Sequence, residues 1–185
     1  MKKISIKVKR VTSWKRALNA ARQTVGKKPL NKEPSDEWKD SILYAEHSPI
    51  RLVEYDIQFK NIPNFVAGHL VRHFMGTEKF VESNRQDRTG KNPTEINRLT
   101  PVNMNMTCNA QALINISRKR LCNCASVETR MVWKHVKKGV EKIDPLMAKH
   151  MVPECVYRGF CPEINTCGFC GTKEFVKERT EYIKK

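Results

Sequence analysis

The sequence predicts an α+β fold in which antiparallel strands are combined with several helices. Two stretches alternate apolar and polar residues with period two, Ile4 to Lys9 and Val53 to Phe59. Between and after them the apolar residues recur at helical spacing, and 39% of the 185 residues are hydrophobic. That is apolar material for one core, at the upper end of single-domain length. The predicted order is strand–helix–helix–strand–helix–loop–helix–helix, with no internal repeat and no low-complexity segment.

In the first strand Ile4, Ile6 and Val8 share one face. Ser13 is placed to cap a helix from Trp14 to Val25, with Trp14, Leu18, Ala21 and Val25 on its apolar side. Gly26 to Pro34 is a loop rich in Gly, Pro and Lys. Ser35 caps a second helix to about Glu46, turning Trp38, Ile42 and Ala45 inward, and His47-Ser-Pro49 breaks it. The second strand sets Val53, Tyr55, Ile57 and Phe59 against Glu54, Asp56 and Gln58, so one face meets the core. Asn61-Ile-Pro63 opens a third helix to about Met75, with proline tolerated in the first turn. A polar irregular stretch follows from Gly76 to Pro101, and a loop of that length in a compact domain is commonly functional or disordered. Asn105 to Leu121 reads as helix. Ser126 starts another, with Val127, Met131, Val136, Val140 and Ile143 as its stripe, and Asp144-Pro145 opens a short helix to His150. The chain divides into a main domain over 1–152 and a cysteine-rich extension over 153–185 packed on it.

Lys and Arg number 35 against 19 Asp and Glu, a net charge of +16. Such a balance favours anionic partners, without separating nucleic acid from nucleotides, folates or acidic lipids. Three Trp, seven Phe and four Tyr argue against a disordered basic tail. No apolar run reaches membrane-spanning length, and the opening MKKISIKVKR interleaves charge with apolar residues, unlike a secretory leader. Together with an odd cysteine count this gives the expectation of a cytoplasmic protein in a reducing compartment.

Three groups of residues carry chemistry. Arg72, His73, Ser83, Arg85 and Arg88 concentrate in a helix end and the loop behind it, where guanidinium groups suit bidentate phosphate recognition. A solvated basic loop explains the same residues. His69, Arg72 and His73, at i, i+3 and i+4, share a helical face. In the second group, Asn109 and Arg120 are nearly three helical turns apart and so point the same way, with Ile116 between them. Arg118, Lys119 and Arg120 also suit the negative end of a helix. The third group is Cys155, Cys161, Cys167 and Cys170, whose last pair has the spacing of a zinc knuckle. A structural zinc site, free buried thiols and an iron–sulfur cluster are the alternatives, and Cys122 and Cys124 read as packing cysteines. No glycine-rich phosphate loop and no local Ser/His/Asp or paired-carboxylate arrangement is found.

The first two groups resemble the flavin-dependent thymidylate synthases. Ile62 to His73, followed by Ser83-Asn-Arg85, is similar to the family's Arg-His-Arg, seven-residue spacer, Ser-x-Arg signature. Asn109-Ala-Gln111-Ala-Leu113-Ile-Asn115, ending at Arg120, resembles its Asn-Ala-Arg-x-Leu-x-Asn helix, and Ala125 to Glu128 fits the Ala-x-x-Glu that follows. Order and spacing agree over roughly residues 36 to 145. The departures are Phe74 in place of the third signature residue, a spacer one residue longer, Gln111 in place of arginine, and a Ser48-Pro49-Ile50-Arg51-Leu52 segment without the family's histidine. The chain reads as a divergent member.

The resemblance implies a homotetramer of α/β domains with active sites shared between subunits. It implies FAD on Arg72, His73, Asn109, Gln111 and Asn115. It implies dUMP on His69, Arg72, Ser83, Arg85 and Arg120, with Arg98 a further candidate. Methylenetetrahydrofolate supplies the carbon and NADPH the electrons, no cysteine acts as nucleophile, and Arg120 is the catalytic residue, favouring the N3-ionised uracil ring. Two other readings stand beside this one: a flavin- and folate-dependent pyrimidine-nucleotide C5 hydroxymethylase, and a basic nucleic-acid-binding protein without catalysis.

Overall fold

A four-stranded antiparallel sheet in the order β1-β2-β4-β3 organises the molecule, with helices packed on one of its faces. The computed structural model describes residues 3–184. The strands are β1 (Ser5–Arg10), β2 (Glu54–Pro63), β3 (Thr77–Val81) and β4 (Pro101–Asn109). The α+β class is as predicted, and two strands are additional to the prediction. Pro101–Asn109 lay partly in the predicted loop and partly in the predicted helix Asn105–Leu121. It is a strand because Val102, Met104, Met106 and Cys108 alternate onto the core while it pairs with β2 on one side and β3 on the other. Asn61–Pro63 is likewise strand rather than helix. Asn61 takes a left-handed φ of 58° where the β2–β4 register shifts, and pairing resumes at Ile62.

Tyr55, Ile57 and Phe59 of β2 join the four inward residues of β4 to form the floor of the core. The opposite sheet face is polar, as in Thr107 donating to Asp56 across the β2–β4 pair at 2.7 Å.

Helix α1 (Trp14–Gln23) starts under the Ser13 cap and α2 (Asp36–Tyr44) under the Ser35 cap, as the sequence predicts. The buried residues differ in detail. Ala17 joins Trp14, Val25 falls beyond α1 and is exposed, and Leu43 is buried where Ala45 was expected. Helix α3 (Asn64–Val71) carries His69 in its last turn, and α4 (Gln86–Thr89) is one turn within the long loop. Helices α5 (Ala110–Arg120) and α6 (Val127–Glu141) meet at a tight turn. The core face of α6 is Val132, Trp133, Val136 and Val140, whereas Val127 and Met131 are exposed, so the predicted stripe was rotated by about one position. Gly139 lets α6 close on β1, since a Cβ there would stand 2.5 Å from Val8. Helix α7 (Pro145–His150) has its Asp144 cap as predicted.

Beyond Val152, α8 (Glu154–Arg158) and α9 (Lys173–Ile183) enclose a second, smaller apolar cluster of Val152, Cys155, Val156, Phe175 and Tyr182. This segment rests on α5 through Arg118, whose guanidinium lies 3.5 Å above the Tyr157 ring. No helix among the described residues is long and apolar enough to cross a membrane.

Candidate functional site

Arg120 stands at the C-terminal end of α5, half-buried against the end of α3. Its Nε donates to His73 Nε2 at 2.8 Å and its Nη2 to the His69 carbonyl at 2.9 Å. Burial, then the charge of Arg72, pulls its pKa below the ordinary guanidinium value. An arginine can only donate, so His73 must accept at Nε2 and carry its proton on Nδ1. Burial, followed by the charges of Arg120 and Lys79, lowers the His73 pKa to about 4.

His69 sits beside this pair. Its Nδ1 meets the Thr129 hydroxyl at 2.8 Å, and Ser126, the α6 cap, donates to the same hydroxyl at 2.8 Å. Thr129 has no solvent exposure. On the ring's other side Phe65 approaches edge-on at 5.5 Å, and Arg98 covers Phe65 at 4.6 Å. The His69 pKa is lowered by burial, then by Arg120, Arg72 and Arg98, against the opposing charge of Glu128. The charges of three guanidinium groups thus act on one imidazole, with Arg120 bonded to the His69 carbonyl and Arg98 over the neighbouring Phe65. Among the described residues none of the three forms an ion pair with a carboxylate, whereas Arg85 and Arg118 do. Unpaired guanidinium charge around a neutral ring is an anion site in waiting.

The other end of α5 borders a groove of about 470 Å³ lined by Glu46, Arg51, Met75, Gly76, Asn109, Gln111, Ala112 and Asn115. Asn109 is the helix cap, its Oδ1 accepting from the Ala112 amide at 2.9 Å. It has extended backbone, so the three-turn argument that aligned it with Arg120 does not apply, and the two stand at opposite ends of α5. The segment His73–Gly76 spans between them. His73 meets Arg120, and the Gly76 carbonyl accepts from the Asn109 amide at 3.0 Å. Gly76 has φ of 70°, and a Cβ there would stand 2.7 Å from the Asn109 side chain, so this approach requires glycine. Gln111 donates to Glu46, which also pairs with Arg118 and holds a left-handed φ of 51°.

The predicted metal cysteines Cys155, Cys161, Cys167 and Cys170 line a separate pocket of about 300 Å³, where no three metal-ligating side chains among the described residues are placed to hold an ion. The predicted nucleotide and flavin residues fall into three places. His69, Arg72, His73, Arg98 and Arg120 gather at the α3–α5 corner. Asn109, Gln111 and Asn115 line the groove. Ser83 and Arg85 stay apart on the loop before α4, where Ser83 accepts from the Arg85 amide at 3.1 Å and Arg85 clasps Asp87 at 2.7 and 3.0 Å. Sequence reasoning missed Phe65, Thr129, Glu46 and Arg51. Phe65 lies within the first block that carries the family likeness and Thr129 directly follows the last, and their spacing from His69 and Ser126 is the sequence signal for them.

The groove residues fit a flavin in part. Three side-chain amides offer both donors and acceptors, suited to the edge of a heteroaromatic ring. Arg51 adds one cation for a phosphate, while the Glu46 carboxylate is already engaged by Gln111 and Arg118.

No family model matches the sequence, and no curated protein matches it. Solved structures do. A UMP/dUMP methylase, PolB from Streptomyces cacaoi, bound with 5-bromo-dUMP, superposes with a TM-score of 0.63 at 15% identity, covering 85% of this chain and 96% of that one. The same methylase bound with 5-bromo-UMP gives a TM-score of 0.61 at 14% identity, covering 81% and 94%. The chain shares their fold.

Proposed function

We propose that the protein is a flavin-dependent thymidylate synthase, methylating dUMP at C5 with methylenetetrahydrofolate as carbon donor and NADPH as reductant. The observation that carries this reading is the α3–α5 corner, where Arg120 bonds to His73 and to the His69 carbonyl, Arg98 covers the Phe65 ring beside His69, and Arg72 ends α3, none of the three paired with a carboxylate among the described residues. The fold it shares with a methylase of UMP and dUMP supports the same substrate class.

On this reading Arg120 lies against the pyrimidine. Its bonds to His73 and the His69 carbonyl leave the Nη1 hydrogens and one Nη2 hydrogen free for a ligand. A guanidinium fixed before the substrate arrives stabilises negative charge developing on the ring without reorganising. His73, kept neutral, holds Arg120 in place and adds no competing positive charge. Arg72 and Arg98 receive the phosphate, and His69, held by Thr129, orients it. Asn109, Gln111 and Asn115 would hold FAD, which, once reduced by NADPH, would supply the two electrons that convert a transferred methylene into a methyl group. Ser83 and Arg85, whose hydrogen bonds and ion pair are with one another and with Asp87 rather than with the corner, serve the active site of an adjacent subunit in a homotetramer.

The test is incubation of the purified protein with FAD, NADPH, methylenetetrahydrofolate and dUMP, UMP or dCMP, followed by mass spectrometry. Conversion of dUMP with a mass gain of one methylene is expected. A gain of one CH2O assigns the hydroxymethylase reading. No product on any nucleotide, together with salt-sensitive affinity for long DNA or RNA, assigns the nucleic-acid reading.

A further inference from the structure

The polar wall of the groove at the start of α5 is held from outside it. Glu46, Gln111 and Asn115 line the groove, whereas Arg118, about one turn further along α5, does not. Arg118 nevertheless reaches all three. Its Nη2 pairs with one oxygen of Glu46, and its Nη1 donates to Asn115 Oδ1 at 3.4 Å. The other oxygen of Glu46 accepts from Gln111 Nε2. Gln111, Asn115 and Arg118 follow one another at helical spacing and so share one face of α5.

Arg118 is held in turn by the C-terminal segment. Its guanidinium lies 3.5 Å above the Tyr157 ring of α8, and its Nε is buried with no hydrogen-bond partner among the described residues. The electron-rich ring face compensates a cation stripped of water on that side. Tyr157 is itself fixed from α9. Arg179 donates to the Val156 and Tyr157 carbonyls at 2.6 and 2.7 Å, and the Tyr182 ring meets Tyr157 edge-on at 6.4 Å.

Two features give this chain of contacts a purpose at the groove. Glu46 has a φ of 51°, a conformation that a residue other than glycine keeps only where its surroundings enforce it. Glu46 also places a carboxylate in the same lining as Arg51. Left uncompensated, that charge would repel any ligand carrying phosphate groups.

We propose that Arg118 and Tyr157 are positioning residues for the groove: Tyr157 holds the Arg118 guanidinium where it cancels the Glu46 carboxylate, so that an anionic dinucleotide meets the amides of Gln111 and Asn115 in place of a bare negative charge. The role rests on the groove being the FAD site. It gives the C-terminal segment, which lies beyond the family likeness, a part in cofactor binding through a single ring.

The test is equilibrium dialysis of the full chain against FAD, read by flavin absorbance, with circular dichroism and melting temperature reporting the fold of each variant. Arg118→Met keeps the length of the side chain and removes its charge. It should weaken FAD binding about tenfold, the order of effect of one uncompensated charge near a partly screened anion. Tyr157→Leu should weaken it about threefold, and Tyr157→Phe, which keeps the ring, should bind as wild type does. Arg118→Met combined with Glu46→Gln should recover most of the loss, because the charge that Arg118 cancels is then gone. A network that only holds shape gives a double variant no better than Arg118→Met alone. That result overturns the role and leaves the FAD site standing, as does wild-type affinity in both Arg118→Met and Tyr157→Leu. Should Arg118→Met fail to fold, the comparison of Tyr157→Leu with Tyr157→Phe carries the same decision. Wild-type protein that takes up no FAD overturns the FAD reading and the positioning role with it.

Discussion

Arg120 Nε donates to His73 Nε2 at 2.8 Å, a cation holding a neutral imidazole by its only accepting nitrogen. Protonating His73 would set two positive donors face to face, which is why burial and the nearby charges carry its pKa from 6.5 to about 4.

A pH dependence follows. A histidine whose pKa is lowered by folding takes up protons more readily when unfolded, so its contribution to stability is complete above about 6.5 and is lost as pH falls towards about 4. His69 and His150, both also lowered chiefly by burial, act in the same direction. His73→Gln keeps a side-chain oxygen that can accept from Arg120 but removes the titration. The expected outcome is a melting temperature that falls less steeply on acidification in the variant than in wild type. Parallel slopes would show that His73 is not part of the acid transition.

Replacing Arg120 tests the other half of the pair. Arg120→Ala removes the preorganised cation and should reduce turnover about 10²- to 10³-fold, the range seen when one charge-stabilising donor is lost. Arg120→Lys keeps the charge without the planar fork and should fall between the two. Because the side chain is half-buried at a helix end, far-ultraviolet circular dichroism should be unchanged in both. Wild-type turnover in Arg120→Ala would refute the assigned role.

The two ends of this site were unequally legible in the sequence. The arginines could be read because they stand in blocks of fixed spacing. Strand β4 was misread from Asn105 onward, since methionine favours helix and no glycine or proline separates the strand from α5. The alternation of Val102, Met104, Met106 and Cys108 was present, and Asn109 marks where it ends. What settles the conformation is pairing with β2 and β3, a tertiary effect. Strand β3 was invisible for a related reason: it is an edge strand, and Phe80 and Val81 leave their side chains exposed. Thr129 is sixty residues from its partner His69, a distance no local pattern spans.

Thr129→Val probes that distant contact. Valine matches the shape but cannot bond, leaving His69 Nδ1 and the Ser126 hydroxyl without their partner. A loss of about 1 kcal/mol is expected in denaturant unfolding, the lower end of the cost of stranding polar groups, since His69 and Ser126 keep some contact with solvent. A rise in KM for the nucleotide should accompany it as His69 loosens. Thr129→Ser, which retains the hydroxyl, should restore KM. Failure of that rescue would mean the methyl group, through packing alone, matters at this position.

Asp144 carries a stability prediction away from the site. Read in the sequence only as a helix cap, it is buried and its Oδ2 accepts from three elements at once: Trp14 Nε1 at 2.7 Å, the Tyr55 hydroxyl at 2.7 Å and Arg10 at 3.1 Å. Its Oδ1 also accepts from the Met147 amide at 3.4 Å. One carboxylate therefore ties α1, β1 and β2 to the start of α7. Asparagine has a single oxygen. Turned towards the three donors it aims its NH2 at the Met147 amide, and turned the other way it opposes Trp14 and Tyr55 with donors of its own. Asp144→Asn also leaves Arg10 uncompensated, so a destabilisation of about 3 kcal/mol is expected, the lower end of the cost of breaking a buried ion pair, since Arg10 keeps some contact with solvent. In urea the midpoint should fall with the slope unchanged, because the surface exposed on unfolding is the same. Activity per folded molecule should stay at the wild-type level, since none of these four elements supplies a residue to the Arg120 corner. A shift below about 1 kcal/mol would place the network among contacts that water replaces without loss.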